Sequence, residues 1–146
     1  MLIHPQSIVH AMVEFNDNTM LAALSQPDMR SCIQYALTYP SRYPSLVRSL
    51  NLAEQNKLEF FKPDLEKFMA LKLAYQAAEL DGTAPCAFNA ANEIAVNNFI
   101  KGKIKFDMIP IIIKQVLETL PYIKNPDLPA LIQCEQTATK FTEAII

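Results

Sequence analysis

A chain of 146 residues with a hydrophobic fraction of 51%, a charged fraction of 19% and a net charge of −2 can bury a core, and it lacks the clustered basic surface of a nucleic-acid binder. Its longest apolar stretch, 109–120, is broken by Pro110, Lys114, Gln115 and Glu118, well short of the roughly 18 apolar residues that span a bilayer. Its two glycines, Gly82 and Gly102, exclude a glycine-rich phosphate cradle, and the widely spaced Cys32, Cys86 and Cys134 read as free, mostly buried thiols of a reducing cytoplasm.

Residues 7–15 alternate, with Val9, Ala11, Val13 and Phe15 on one face and Ile8, His10, Met12 and Glu14 on the other, which predicts a half-buried strand. Asn16, Asp17 and Asn18 supply a turn, and 19–24 reads as the returning strand of a β-hairpin. Two strands alone are marginal, so the hairpin implies further strands upstream in a longer polypeptide or in a partner. Asp28 is then expected to cap a helix that turns Met29, Ile33, Ala36 and Leu37 inward, stopped by Pro40 and Pro44. A connector follows, with one short alternating strand over 58–61 and a boundary near Pro63 and Asp64.

Beyond that boundary the apolar spacing becomes helical. Asp64 is expected to cap a helix burying Leu65, Phe68, Leu71, Leu73, Ala74, Tyr75 and Ala78, closed by Gly82. Thr83 is expected to cap the next, with Pro85 in its first turn and a stripe of Phe88, Ala91, Ala95, Val96 and Phe99. Asp107 caps a third, with Ile109, Ile112, Ile113, Val116, Leu117 and Leu120 inward. A short turn over 128–132 leads to a last helix holding Ala138, Phe141, Ala144 and Ile145. Four amphipathic helices with short connections predict a helical bundle over 64–146.

Few side chains can do chemistry. His4 and His10 lie roughly 20 Å apart at strand rise, too far to share a metal, and no catalytic relay or metal-ligand set can be assembled. His10 either looks into a cleft or is a half-buried strand histidine bonded to backbone. For Ser7 the choice is between a substrate hydroxyl and a backbone cap at the strand's start. Pro27 and Met29 make a rigid apolar loop tip able to lie against a flat ring. Asp28 is a helix cap, and Arg30 is its expected ion-pair partner. Asn89 and Asn92, beside an apolar stripe, are expected to be buried amides that latch a neighbouring loop.

Three stretches carry a resemblance: Ile3-His4-Pro5-Gln6-Ser7-Ile8-Val9-His10-Ala11-Met12-Val13, then Gln26-Pro27-Asp28-Met29-Arg30, then Thr83-Ala84-Pro85 with Asn89-Ala90-Ala91-Asn92-Glu93. In motif, order and separation the whole chain resembles the C-terminal half of the 1-deoxy-D-xylulose 5-phosphate (DXP) reductoisomerase family. That resemblance implies an α+β fragment: residues 1–38 as the terminal hairpin and helix of an α/β catalytic and dimerisation domain, 39–63 as a linker, and 64–146 as a C-terminal four-helix bundle. It also implies a cytoplasmic homodimer whose missing N-terminal half carries the NADPH domain, the Mg2+ or Mn2+ ligands and the phosphate-binding residues. The implied reaction is a metal-assisted rearrangement of a keto-sugar phosphate, followed by hydride reduction of the branched aldehyde. This chain alone is then expected to bind neither cofactor nor metal and to be inactive.

Matched family positions put Ser7 and His10 near the substrate and Pro27 and Met29 along the wall beside the nicotinamide ring. Asn18 and Ser25 stand where the family usually has glycine. The competing expectation is a stand-alone helical module that dimerises through its hairpin without catalysis.

Overall fold

The computed structural model describes residues 1–146, which form an α+β chain with one two-stranded antiparallel sheet and six helices. It divides into two compact units, Met1–Pro63 and Asp64–Ile146.

In the first unit, β1 (Val9–Glu14) pairs with β2 (Met20–Leu24). Asn18 takes the left-handed conformation at φ 66 that closes the turn, and Asp17 Oδ1 accepts from Thr19 N–H at 2.9 Å. Asn reaches this region readily because its short polar side chain bonds locally. The hairpin is not half-buried: Ile8, at 3% exposure, is the one buried side chain of this unit, while Met12, Val13, Met20 and Leu21 stand open. Two strands have only two faces, and within this unit no helix packs on either.

Asp28 begins α1 (Met29–Thr38), its Oδ1 accepting from Arg30 N–H at 3.0 Å. The helix sits the other way round from expectation, with Met29, Ile33, Ala36 and Leu37 exposed. Its polar face holds the segment that follows. Gln34 Nε2 donates to Pro44 O at 2.9 Å, Thr38 Oγ1 to Ser41 O at 3.0 Å, and the Arg42 guanidinium lies 4.1 Å above the Tyr35 ring. A short unpredicted helix, α2 (Leu52–Gln55), starts at Asn51, whose side chain accepts from Ala53 N–H and donates to Glu54. The strand expected over 58–61 reduces to a single bridge in which Ile3 and Phe61 exchange two backbone hydrogen bonds of 2.9 Å.

The second unit packs α3 (Met69–Leu80), α4 (Ala84–Ile100), α5 (Met108–Thr119) and α6 (Leu128–Ile145), with α4 touching the other three. Alanines on α4 (Ala87, Ala90, Ala91, Ala95) let its neighbours approach closely. Ile109, Ile112, Ile113 and Val116 of α5 fill the space opposite, joined by Leu73 and Ala138. Phe88 and Val96 pack partly buried beside them, whereas Phe99 is exposed and meets Phe106 edge-on at 5.6 Å.

Several helix ends depart from expectation. Asp64 caps a separate turn by accepting from Glu66 and Lys67 N–H, so α3 begins only at Met69. Neither Thr83 nor Asp107 caps through its side chain. The first stretch of the last helix does not break after residue 132: Asp127 caps it by accepting from Ala130 N–H at 2.9 Å, and one helix runs to Ile145. Gly82, at φ +57, turns the chain between α3 and α4 where any Cβ would run into the Ile123 carbonyl and the Tyr122 ring. The thiols are less buried than expected: Cys32 is exposed, and Cys86 and Cys134 are half-buried.

Candidate functional site

The open end of the hairpin gathers the chemically able residues because strand entry and strand exit lie side by side. Ser25 N–H donates to Ile8 O at 3.1 Å, which puts Ser7 and the loop 26–30 at the same end of the sheet. Ser7 is exposed and held at φ 52, a left-handed conformation uncommon for serine, and its N–H donates to His4 O at 3.0 Å. Its hydroxyl has no hydrogen bond within the chain. His10 is the extra residue of a β-bulge, since Val9 pairs with Leu24 while Ala11 pairs with Ala23. A bulge bends the strand and re-aims the side chain, and it leaves His10 exposed.

At the loop tip, Pro27 precedes Asp28, and Met29 projects with 69% exposure. Arg30 Nε donates to both oxygens of Asp28 at 3.0 Å, and its terminal nitrogen lies 2.6 Å from Oδ2. These side-chain bonds, together with the Arg30 backbone N–H, hold the Asp28 carboxyl down to about 2. Asp28 in turn raises the Arg30 guanidinium. Beside them lies a shallow recess of about 330 Å³ lined by Gln26, Pro27, Asp28, Arg30, Val47 and Arg48. Arg48 enters it from the connector, a neighbour that no local spacing announces.

Asn89 and Asn92 belong to the second unit. Asn89 is exposed and Asn92 half-buried, and neither side chain makes a hydrogen bond, so they latch no loop of this chain. Both fall outside the alanine face that α4 buries. The latch there is Thr83, 2% exposed, whose hydroxyl accepts from Ile123 N–H. This unit also holds a larger cavity of about 410 Å³ between α3, α4 and α5, but its walls are chiefly aliphatic and its charged rim is paired, Lys72 with Glu66 and Lys114 with Glu118. Such a cavity offers space without convergent polar chemistry.

This chain brings together no metal-ligating cluster and no glycine-rich phosphate loop. No three His, Cys, Asp or Glu side chains come together, and its two glycines, Gly82 and Gly102, each follow a helix end in the second unit. The arrangement can therefore contribute a wall to a site: an exposed hydroxyl, a re-aimed imidazole and an apolar loop tip with a salt bridge behind it. No helix is long and apolar enough to cross a membrane.

Residues 24–141 match the family model of the DXP reductoisomerase C-terminal domain. The chain is 48% identical over 145 residues to 1-deoxy-D-xylulose 5-phosphate reductoisomerase of Endomicrobium trichonymphae, covering 99% of this chain and 38% of that protein. With the Halothermothrix orenii enzyme of the same name it shares 49% over 137 residues, covering 94% and 36%. Among solved structures, the Zymomonas mobilis enzyme in complex with NADPH superposes with a TM-score of 0.90 at 35% identity, over 99% of this chain and 38% of that one. A reductoisomerase in complex with NADPH, fosmidomycin and magnesium gives 0.91 at 38% identity, over 98% and 37%. The chain thus spans about 38% of the length of the relatives it matches. A profile match across most of its length, and relatives nearly half identical over almost all of it, make this chain a member of the DXP reductoisomerase family, matched in that family's C-terminal domain.

Proposed function

We propose that this chain is the C-terminal part of an NADPH-dependent enzyme that converts 1-deoxy-D-xylulose 5-phosphate to 2-C-methyl-D-erythritol 4-phosphate in non-mevalonate isoprenoid biosynthesis. The observation that carries the proposal is the identity of 48% across 99% of the chain with a reductoisomerase. Residues 1–38 then complete the catalytic domain, 39–63 are the linker, and 64–146 are the C-terminal four-helix bundle. Ser7 and His10 stand near the sugar phosphate, and Pro27 and Met29 line the pocket beside the nicotinamide. Asp28 and Arg30 brace that loop.

NADPH and the divalent cation belong, in this reading, to the rest of the polypeptide, which supplies the hydride and the Lewis acid. The exposed hairpin and α1 fit a surface covered by that remainder and by a second subunit of a cytoplasmic homodimer. The 146 residues alone are inactive.

The test is to express the longer reading frame and follow NADPH oxidation with the sugar phosphate and Mg2+. Substrate-dependent oxidation supports the proposal. An intact polypeptide that lacks a cofactor domain, or one that shows no turnover, refutes it. A natural product of only these 146 residues that pairs through its hairpin would favour the non-catalytic dimerisation module instead.

A further inference from the structure

The turn that delivers Ser7 into the hairpin is clamped by a segment from the far end of the first unit. Gln6 Nε2 donates to Glu59 Oε2 at 2.8 Å, and Glu59 N–H donates back to Gln6 Oε1 at 3.2 Å. His4 Nδ1 lies 2.8 Å from Glu59 O; a carbonyl only accepts, so Nδ1 carries the proton. The His4 ring also stacks on Phe60, with centroids 4.6 Å apart and planes 13° from parallel. Glu59 therefore grips Gln6 through its carboxylate and backbone N–H, and His4 through its backbone carbonyl, on either side of Pro5.

What this grip holds is unusual. The turn closes when Ser7 N–H bonds to His4 O, with Ser7 at φ 52. A non-glycine residue keeps such a conformation only where its surroundings over-determine it. Immediately beyond, Ile8 is buried and His10 forms the bulge. The direction of both exposed side chains thus follows from how the chain enters the strand.

We propose that Glu59 is a positioning residue: its carboxylate, acting through Gln6, fixes the left-handed Ser7 turn and so the presentation of Ser7 and His10 to the substrate. The inference rests on the enzymatic reading above. The two can be separated by experiment.

In the longer polypeptide, Glu59→Ala is expected to speed amide exchange at Ser7 about tenfold while the far ladder at Val13 stays unchanged. The same substitution is expected to lower kcat on the order of tenfold or more, with the KM for NADPH and the melting temperature unchanged. Glu59→Gln, which still accepts from Gln6, restores kcat. Lys57→Ala, which removes only the ion pair of Lys57 with Glu59 at 3.0 Å, leaves it untouched. Should Glu59→Ala fail to fold, Gln6→Ala removes both bonds of the reciprocal pair, where Glu59→Ala removes only the carboxylate's, and is expected to raise Ser7 exchange and lower kcat at least as much. Unchanged exchange at Ser7 overturns the proposal, as does unchanged kcat in an active enzyme whose Ser7 exchange has risen. A wild-type polypeptide without turnover counts against the enzymatic reading, and the exchange experiment still decides whether the clamp exists.

Discussion

Thr83 and Ile123 exchange two hydrogen bonds across forty residues: Thr83 N–H donates to Ile123 O at 3.0 Å, and Ile123 N–H donates to the Thr83 hydroxyl at 3.0 Å. The pair ties the start of α4 to the connection between α5 and α6, and Tyr122 adds a hydroxyl bond to Leu80 O at 2.9 Å. Thr83→Val keeps the volume and strands the Ile123 amide, so it is expected to cost about 1–3 kcal/mol. Thr83→Ser keeps the acceptor and loses little. Urea denaturation midpoints of the two variants check this.

The alanine face of α4 sets a second expectation. Ile113 and Ala91 are both fully buried on facing helices. Ile113→Ala opens a cavity and is expected to cost roughly 2–5 kcal/mol, whereas Ala91→Leu forces the helices apart at roughly 1–3 kcal/mol. Opposite volume changes should thus destabilise the same core, as thermal unfolding of both would reveal.

The loop tip should respond to acid. Asp28 titrates well below its unfolded value, near 2, because Arg30 bonds its ionised form. Its contribution is fully present above pH 4 and is lost as pH falls through about 2. The start of α1 is therefore expected to fray between these limits, ahead of the second unit. Backbone chemical shifts of residues 29–32, followed against pH, report it, and Asp28→Asn, which keeps a capping oxygen, should flatten the response.

Met29 separates function from stability. At 69% exposure it supports little packing, so Met29→Ala is expected to shift folding by no more than about 0.5 kcal/mol. In the longer polypeptide it should lower turnover or NADPH use. A melt shift with unchanged kinetics in the folded fraction would make Met29 a core residue only.

Legibility in the sequence followed the range of the forces involved. The α5 stripe was readable because Ile109, Ile112, Ile113 and Val116 all bury along one helical face. The hairpin was readable because alternation and three turn residues are local signals. The orientation of α1 was not: its apolar stripe is real, yet within this unit the polar side has the partners. The continuity of α6 was hidden because Gln133, Glu135 and Gln136 interrupt the apolar pattern while Cys134 and Ala138 carry the packing across. Cys134, half-buried and donating to Thr83 O, is pushed up to about 11 by burial first and by the neighbouring Cys86 second. Of the candidate site, Asp28 and Arg30 were legible because they pair two residues apart. Glu59 was invisible because its partner lies 53 residues away.

The hairpin leaves one edge of each strand unpaired and carries Met12, Val13 and Leu21 in the open. An edge of that kind templates further strands; no proline interrupts either strand, and only the bulge at His10 and the Glu14 carboxylate act against their addition. Concentration therefore becomes a control on the form this chain takes in solution. Dilute, it should stay as separate molecules; concentrated, it should grow by edge-to-edge addition. A charged substitution at Leu21 is the natural way to keep it dispersed.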